Sequence, residues 1–360
     1  MNKPQKFDIA VIGAGIAGLV CAQELQQMGY SVVVLEKSRG VGGRMATRRV
    51  SGSRADHGVR YLEPRGKFWQ QLIDNQKIKK NNIDTKPIIQ LWTDKTYELI
   101  HPQELLLPTT KNCYIAPQGM NSVGKFLAEG LDIWFSRRVQ TIQQLAEKNW
   151  YLTLEITNDA ATEKPTEVMA KAVVLAIPAP QALAILEKPI AEIQPEFLEH
   201  LRLVEYDPCI TVMAGYSQAL QENLPEWRAI AFSNDEYLDW VGLDSSKRQD
   251  ASQPVFVIQS SAKFATTHLE SPDLPPIGKK ILEHTAQKLL PWLRDPEWLQ
   301  VHRWRYAFCR QALAVSCLTT EIPLPLVGVG DWCGGDNIES AFTSGLSAAH
   351  WLRRKAEGKK

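Results

Sequence analysis

The stretch VIGAGIAGL, residues 11–19, constrains the fold most strongly, because it places three glycines between an apolar segment and an amphipathic one. The segment before it, KFDIAVIG, has the apolar run of a buried strand, and Ile16 to Met28 carries its apolar residues on one helical face. SVVVLE then has the β-branched composition of a second buried strand. This β-α-β unit of about 30 residues predicts a parallel sheet, because parallel strands need a crossover connection.

The three glycines have the spacing of a dinucleotide-binding loop. Gly13 permits a tight turn, Gly15 lets the backbone approach a pyrophosphate, and Gly18 lets the helix pack closely on the strand. The helix N-terminus would face the phosphates, and Glu36, 18 residues after Gly18, is placed to accept hydrogen bonds from ribose hydroxyls. The pattern therefore favours a bound dinucleotide over a plain glycine-rich turn, and NAD and FAD both fit it.

A second glycine pair favours FAD. The segment EKSRGVGGRMATRR places Gly42 and Gly43 before Arg44, which suits backbone approach and a charge-assisted contact with phosphate. It looks like the element that follows the ribose-binding glutamate in FAD enzymes of the glutathione-reductase-like and flavin amine oxidase group.

The C-terminal segment GVGDWCGGDNIESAFTSG adds to this prediction. Asp331 follows a buried strand, where such flavoproteins hold the ribityl chain, and Asp336 and Glu339 have capping-box spacing at the start of the last helix. A helix N-terminus beside the flavin would stabilise its anionic reduced form. A simple capped helix after a turn is the alternative.

Together these segments resemble the renalase-like branch of the flavin amine oxidase superfamily. The resemblance covers nearly the whole chain, in GAGIAGL, GVGGRMATRR, ADHGVRYL, APQGMNSVGKFLAEGL, VVLAIPAPQ, FVIQSSAKFATTHLE, HRWRYA and GDWCGGDNIESAFTSG. It implies an α/β fold, with a Rossmann-like FAD-binding domain of the glutathione-reductase type and a second, smaller α+β substrate domain. It also implies non-covalent FAD, oxidation of isomeric dihydronicotinamides (2- or 6-dihydro-NAD(P)), and O2 as the acceptor that becomes H2O2. Lys263 and the segment AFCRQAL depart from the expected pattern.

The domain limits follow from a change of pattern at about residue 183. From there to about 295, two predicted strands, CITVMAGY and PVFVIQSSA, are separated by polar loops, and a long helix is predicted near 276–292. The C-terminal piece then returns to strand, glycine loop and helix. The predicted FAD-binding domain comprises 1–75, 110–182 and 296–360, and the predicted substrate domain comprises 76–109 and 183–295.

Hydride transfer to a flavin needs mainly orientation of the donor, so the predicted catalytic residues are orienting ones. They are His57 and Tyr61 in DHGVRYL and Trp304 in HRWRYAF, where Trp304, Tyr306 and Phe308 share one strand face. A loop-fixing role for Asp56 and His57, and core packing for the aromatic face, are the alternatives. The residues predicted to bind FAD are Gly13, Gly15, Ile16, Ala17, Gly18, Glu36, Lys37, Gly43, Arg44, Met45, His57, Gly58, Val139, Ala176, Gly330, Asp331, Ile338, Glu339 and Ala341.

Six arginines lie between residues 44 and 65, against only Asp56 and Glu63, in a chain whose formal net charge is +1. This local excess suggests an anionic ligand. We expect Arg49 or Arg60 to face a phosphate-bearing substrate, with a solvated surface role as the alternative. Lys263 could assist reaction with oxygen or lie on the surface, and Cys333 could link the flavin covalently, although a buried thiol is the simpler interpretation.

The composition of the chain limits the classes of partner that we expect. The near-zero net charge gives no general attraction to nucleic acid or an anionic membrane. The longest apolar run is interrupted by Pro178 and Pro180, and six cysteines and seven histidines show no metal-ligand spacing. We therefore expect a cytoplasmic protein without metal, with a small-molecule substrate, possible dinucleotide recognition and O2 as partners, and with its oligomeric state open. Three functions remain: the oxidase, a flavin amine oxidase or desaturase, and a non-catalytic FAD-binding redox sensor.

Overall fold

The computed structural model describes residues 4–80, 87–100, 105–145, 148–157, 165–187 and 193–358. The chain divides into two compact units of similar length. The first is Met1–Gly43, Val123–Glu205 and Cys309–Lys360, and the second is Arg44–Ser122 and Tyr206–Phe308.

The regular elements follow in chain order. They are β1 (Gln5–Ile12), α1 (Ile16–Gln27), β2 (Val32–Leu35), β3 (Thr47–Val50), β4 (Ser53–Asp56), α2 (Gly66–Lys80), β5 (Gln90–Ile100), β6 (Leu105–Ile115), α3 (Asn121–Leu127), β7 (Ile133–Trp134), β8 (Arg137–Leu145), β9 (Asn149–Ile156), β10 (Glu167–Leu175), α4 (Ala179–Leu186), α5 (Pro195–Arg202), β11 (Glu205–Gly215), β12 (Ala229–Ser233), β13 (Leu238–Leu243), β14 (Val255–Ser260), α6 (Ala262–Thr267), α7 (Pro275–Lys288), β15 (Trp298–Gln311), β16 (Leu318–Thr320), β17 (Leu326–Gly328) and α8 (Ile338–Glu357). Short 3₁₀ helices cover Gln218–Asn223, Asp244–Lys247 and Pro291–Arg294.

The first unit is built on an eight-stranded sheet in the order β16-β17-β10-β1-β2-β7, with β9 pairing with β10 and β8 with β9. The pairs β10–β1, β1–β2, β2–β7 and β10–β17 are parallel. The predicted β-α-β unit is therefore present, with α1 as its crossover. Strand β1 is buried at its C-terminal half because helices cover this apolar run.

The second unit contains a seven-stranded sheet in the order β15-β11-β14-β13-β12-β5-β6 and a separate ribbon of β3 and β4. Its core includes Ile210, Val212, Phe256 and Ile258, together with Ile281 of α7. The pair β12–β5 is parallel, and the neighbouring pairs β11–β14, β13–β14 and β12–β13 are antiparallel.

Several local predictions differ from the structure. The segment predicted as polar loops between CITVMAGY and PVFVIQSSA contains β12 and β13, whose apolar residues are buried. The single strand predicted for LDIWFSRRV is two strands, β7 and β8, because Ser136 between them takes a left-handed conformation with φ of 54°. The helix predicted near 276–292 ends at Lys288.

The boundaries of the two compact units differ from those of the predicted domains. Residues 44–75, 110–122 and 296–308, predicted within the FAD-binding domain, belong to the second unit. Residues 183–187 and 193–205, predicted within the substrate domain, belong to the first. Strand β6 pairs with β5 from Ile115↔Gln90 to Leu105↔Ile100, and this long hairpin keeps residues 110–115 with the second unit. Parts of both predicted domains, including 81–86, 101–104, 158–164 and 188–192, lie outside the described residues.

Candidate functional site

The glycine loop after β1 has the predicted geometry. Gly13 has a φ of +104°, and a Cβ there would lie 2.5 Å from the carbonyl oxygen of Ala176. A Cβ on Gly18 would overlap the carbonyl oxygen of Gly13. A Cβ on Gly15, the N-cap of α1, would meet no described atom within 4 Å. Packing therefore fixes Gly13 and Gly18, whereas Gly15 presents open backbone at a helix N-terminus.

The second glycine pair lies directly on this loop. The N–H of Gly42 donates to the carbonyl oxygen of Ala14 at 2.8 Å. Gly43 has a φ of +56°, and a Cβ there would lie 3.3 Å from the Cα of Gly15. The two glycine segments form one backbone surface, which explains why both motifs occur in the same chain.

Glu36 holds the loop through both carboxylate oxygens. Its Oε2 accepts from the backbone N–H of Ala14 at 2.8 Å, and its Oε1 accepts from that of Ser38 at 2.8 Å. Each oxygen keeps acceptor capacity, because an ionised carboxylate offers about four lone-pair sites. Open backbone at a helix N-terminus beside a buried carboxylate is what an adenine dinucleotide requires, so these residues fit FAD.

The C-terminal loop packs against the start of α8. The N–H of Gly330 donates to Ser344 Oγ at 3.0 Å, and Asp331 is buried. The N-cap of α8 is Asn337, whose side-chain oxygen accepts from the N–H groups of Glu339 and Ser340 at 3.0 and 3.1 Å. The predicted capping box from Asp336 is wrong by one residue, because Asn337 takes the extended conformation that an N-cap needs.

The remaining residues predicted to bind the cofactor are divided between the units. Those in the first unit are Ile16 and Ala17 in the first turn of α1, Lys37, Val139 on β8, Ala176, and Ile338 and Ala341 in the first turn of α8. Those in the second unit are Arg44, Met45, His57 and Gly58. Ala176 adjoins the glycine loop, whereas Lys37 is exposed and donates to Gln181 at 3.3 Å. Their contacts with FAD remain predictions.

In the second unit, three rings meet at the end of β4. The His57 ring stacks on Trp304 with centroids 5.4 Å apart, and its face meets His302 edge-on at 5.0 Å. The His302 and Trp304 rings are 4.3 Å apart. Trp304 Nε1 donates to the carbonyl oxygen of His57 at 2.9 Å. The structure thus brings together the predicted His57 and Trp304, and it adds His302, which lies in the same HRWRYA segment.

Both imidazoles of this cluster are neutral at pH 7. Burial, with smaller contributions from His302 and Arg48, lowers the pKa of His57 to about 3. Burial also lowers the pKa of His302 to about 4, with Arg48 contributing. Among the described residues, His57 Nδ1 is buried without a hydrogen-bond partner. A neutral imidazole with a free ring nitrogen can accept or donate one hydrogen bond to a ligand.

The turn after His57 is fixed by backbone packing. A Cβ on Gly58 would overlap the carbonyl oxygen of Arg44, which accepts from the N–H of Val59 at 2.9 Å. Arg44 Nη1 donates to the carbonyl oxygen of Ala307 at 3.2 Å, and its guanidinium lies 5.9 Å from the centroid of Tyr206. Gly58 is therefore required by the close approach of two chain segments.

A buried charge network precedes His57. Asp56 Oδ1 accepts from Thr47 Oγ1 at 2.7 Å and from the N–H of Met120 at 3.0 Å. Asp56 Oδ2 accepts from Arg248 Nη2 at 2.7 Å and lies 3.4 Å from Lys247 Nζ. Burial alone raises the pKa of Asp56, but Lys247 and Arg248 hold it below its usual value.

Asp244 completes this network, since its Oδ1 forms an ion pair with Lys247 Nζ at 2.7 Å and its Oδ2 accepts from Arg248 Nη1 at 2.6 Å. The sequence offered one signal, the lone Asp56 within an arginine-rich segment, and no local signal for the three partners about 190 positions later. The interpretation that Asp56 fixes a loop agrees with the structure.

Four other candidates have partners of their own. Arg60 donates to Gln259 and pairs with Asp239, so its guanidinium is engaged within the protein, and its contact with a phosphate stays a prediction. Lys263 pairs with Glu236 at 2.6 Å, and both side chains are mostly exposed, so it is a surface lysine. The Tyr61 ring lies 5.1 Å from Lys111 Nζ. Cys333 is buried and donates to the carbonyl oxygen of Gly328 at 3.7 Å.

The described ranges contain neither a metal-binding cluster nor a membrane-spanning helix. No group of three or more His, Cys, Asp or Glu side chains there could hold a metal ion. No helix within those ranges is both long and apolar enough to span a membrane.

Comparison with known proteins places this geometry in a family. Residues 11–75 match a model for an NAD(P)-binding Rossmann-like domain, and residues 99–351 match the model for flavin-containing amine oxidoreductases. The second match covers most of the chain. The chain therefore belongs to the flavin-containing amine oxidoreductase family. The members of this family are flavin-containing oxidoreductases, so the match confirms the predicted FAD cofactor.

Individual relatives share shorter segments. A Mycobacterium tuberculosis protein described as a flavin-containing monoamine oxidase, AofH, is 46% identical over 63 residues, which are 18% of this chain and 14% of that protein. The flavin-dependent L-tryptophan oxidase RebO of Lentzea aerocolonigenes is 56% identical over 41 residues, which are 11% of this chain and 9% of that protein. The matched segments thus span less than a fifth of these relatives.

Solved structures agree over nearly the whole chain. Putrescine oxidase aligns with a TM-score of 0.69 at 15% identity, covering 98% of this chain and 100% of that one. Cyclohexylamine oxidase from Brevibacterium oxydans aligns with a TM-score of 0.66 at 12% identity, covering 98% and 99%. At such low identity these likenesses show the fold alone, and they confirm the predicted α/β class with a Rossmann-like FAD-binding domain.

Proposed function

We propose that the protein is a renalase-like FAD-dependent oxidase that removes a hydride from an isomeric dihydronicotinamide, 2- or 6-dihydro-NAD(P), and passes the electrons to O2. The products are NAD(P)⁺ and H2O2, since O2 takes up the two electrons of the hydride and two protons. A cytoplasmic location belongs to the same proposal, because all six cysteines are free thiols, as in a reducing compartment.

The observation that carries the proposal is the neutral ring cluster of His57, His302 and Trp304 beside the cation Arg48. Arg48 acts on both imidazoles as a positive charge, and such a charge disfavours an ammonium substrate while favouring a neutral ring or an anionic group. A dihydronicotinamide dinucleotide combines a planar neutral ring with phosphates, whereas most amines are cations at pH 7.

In this proposal the side chains orient the donor. Trp304 and His302 would pack against the planar ring, and the buried neutral His57 would give it a polar partner without adding charge. FAD, when bound, supplies the electrophile that accepts the hydride. Because orientation dominates such a reaction, misplacement of the ring is expected to cost about 10²-fold in rate.

Oxidation of a primary or secondary amine is the second candidate. It is favoured by membership of the amine oxidoreductase family over residues 99–351. The two candidates differ in donor charge, so the same protein can be tested with both classes of compound.

The test is anaerobic stopped-flow reduction of the purified holoprotein, followed by the loss of flavin absorbance. The panel comprises 2- and 6-dihydro-NAD(P), ordinary NAD(P)H, putrescine and cyclohexylamine. We expect fast bleaching by the isomers alone and rapid recovery in air. Bleaching by amines would transfer the assignment to amine oxidation, and no bleaching by any donor would support a redox sensor or a desaturase with another substrate.

Trp304→Leu is expected to slow bleaching by the isomers about 10²-fold. Phe308→Leu is the matched control, because Phe308 lies on the same face of β15 but is 43% exposed. Equal rates in the two variants would count against a role of the ring cluster in orienting the donor.

A further inference from the structure

The ribbon of β3 and β4 places Arg48 and His57 side by side. Arg48 pairs with Ala55 across the ribbon, and the N–H of His57 donates to the carbonyl oxygen of Ala46 at 3.1 Å, which continues the pairing by one residue. Because side chains alternate along a strand, Arg48 and His57 project from the same face of the ribbon. Arg49, which pairs with Arg54, projects from the other face.

Among the described residues Arg48 has no counter-ion, and neither has its exposed neighbour Arg49, whereas three other arginines of the segment are paired. Arg54 pairs with Asp250, Arg60 with Asp239 and Arg65 with Glu63. Within the described part of the chain, half-buried Arg48 has neither a hydrogen bond nor a carboxylate partner, and its Nε is fully buried. A buried guanidinium N–H without an acceptor is unfavourable, so the buried Nε of Arg48 is a candidate donor to a ligand.

His57 presents the second unsatisfied atom on the same face, since its Nδ1 is buried without a partner among the described residues. The nearest acid in sequence, Asp56, projects from the opposite face and is occupied by Thr47, Lys247 and Arg248. Asp56 is therefore not positioned to compensate Arg48. Two unsatisfied nitrogens, one of them cationic, match a ligand oxyanion.

We propose that Arg48 and His57 form a subsite for an oxyanion of the substrate, a carboxylate or phosphate group, next to the ring surface of His302 and Trp304. Arg48 supplies the charge, and His57 donates from Nδ1 in the corresponding tautomer. The inference deepens the proposed function and rests on it for the identity of the substrate. Binding at the subsite itself requires no turnover.

The experiment measures binding to the oxidised holoprotein by titration calorimetry with three probes that cannot donate a hydride. Nicotinamide carries no anion, nicotinate carries a ring carboxylate, and nicotinamide mononucleotide carries a phosphate. Wild type is compared with Arg48→Gln and with Arg49→Gln, the matched control on the opposite face of the ribbon. Arg48→Lys keeps the charge, and flavin absorbance gives the FAD content of every variant.

We expect at least one anionic probe to bind wild type about tenfold more tightly than nicotinamide, which is about 1.4 kcal/mol. An advantage for nicotinate identifies a carboxylate subsite, and an advantage for the mononucleotide alone identifies a phosphate subsite. Arg48→Gln should abolish the advantage at unchanged FAD content, Arg48→Lys should keep part of it, and Arg49→Gln should keep all of it.

The proposal is overturned if wild type binds the three probes equally, or if the advantage persists in Arg48→Gln. It is also overturned if Arg48→Gln loses FAD while Arg48→Lys retains it, because the oxyanion would then belong to the cofactor. If Arg48-dependent binding is found but no dihydronicotinamide bleaches the flavin, the subsite stands and the proposed function fails. If a dihydronicotinamide bleaches the flavin but no probe shows Arg48-dependent binding, the proposed function stands and the subsite fails.

Discussion

The glycine loop of the first unit and the ring cluster of the second differ in how they present a ligand site. Glu36 fixes the loop by accepting from the N–H groups of Ala14 and Ser38, and the loop leaves its backbone open where Gly15 lacks a side chain. The cluster leaves polar atoms of His57 and Arg48 unsatisfied among the described residues. The loop is therefore shaped by steric limits, and the cluster by unmet hydrogen-bonding capacity.

The difference bears on which part of the function each region determines. Backbone and helix N-terminus recognise phosphates that every dinucleotide carries, so the loop defines a cofactor class. Side chains with free donors recognise particular groups at particular positions, so the cluster discriminates among substrates. Substitutions in the two regions should accordingly differ in whether they affect stability, cofactor binding or substrate choice.

The largest effect on stability is expected in the buried charge network around Asp56, which precedes His57 of the ring cluster. Asp56→Asn would leave Lys247 and Arg248 buried with one carboxylate, Asp244, between them. Removing one partner from a buried ion network typically costs about 3–5 kcal/mol. We expect a loss of that size in the free energy of unfolding, measured by urea denaturation of the holoprotein.

Asp250→Asn is the matched control, because Asp250 pairs with Arg54 but its side chain is 67% exposed. An exposed ion pair contributes about 0–1 kcal/mol, so this variant should unfold near wild type. Similar losses in both variants would mean that burial of the network does not determine its contribution.

Substitutions in the glycine loop should separate an effect on stability from an effect on FAD binding. Gly18→Ala would push a methyl group into the carbonyl of Gly13, and such overpacking is expected to cost about 1–3 kcal/mol of stability. Gly15→Ala meets no described atom within 4 Å, so the fold should keep its stability, while FAD binds about tenfold or more weakly. Thermal unfolding of the apoprotein and FAD titration measure the two quantities separately. A stable Gly15→Ala variant with full FAD affinity would contradict the role of Gly15.

The same contrast explains what the sequence could predict. Gly13, Gly15, Gly18 and Glu36 lie within one β-α-β unit, where spacing alone determines proximity, and the structure has them as expected. The break between strands β7 and β8 depends on a single residue in the left-handed conformation, Ser136, and the hydrophobic periodicity of the sequence gives no signal for it.

The ring cluster was only partly predictable for a different reason. His57 and Trp304 were identified from their motifs, but their contact joins β4 to β15 across about 250 positions of sequence. Among the clustered arginines, the sequence favoured Arg49 or Arg60. In the structure Arg49 is exposed, whereas Arg48 has a buried Nε without a partner among the described residues. That distinction depends on strand register and on Asp239, which lies far along the chain.

Acid should affect the second region through its histidines. In the unfolded chain a histidine titrates near pH 6.5, whereas the folded protein holds the pKa of His302 at about 4 and that of His57 at about 3. Between these values the unfolded chain binds more protons, so stability is full above pH 6.5 and falls as the pH drops towards 4. Each histidine should account for a loss of about 1–2 kcal/mol between pH 6.5 and pH 5.

His302→Gln should therefore reduce the pH dependence of the urea midpoint over this interval, and exposed His200→Gln should leave it unchanged. A pH dependence identical in all three proteins would show that the neutral imidazoles do not contribute to stability, and it would remove the electrostatic basis for distinguishing this cluster from the glycine loop.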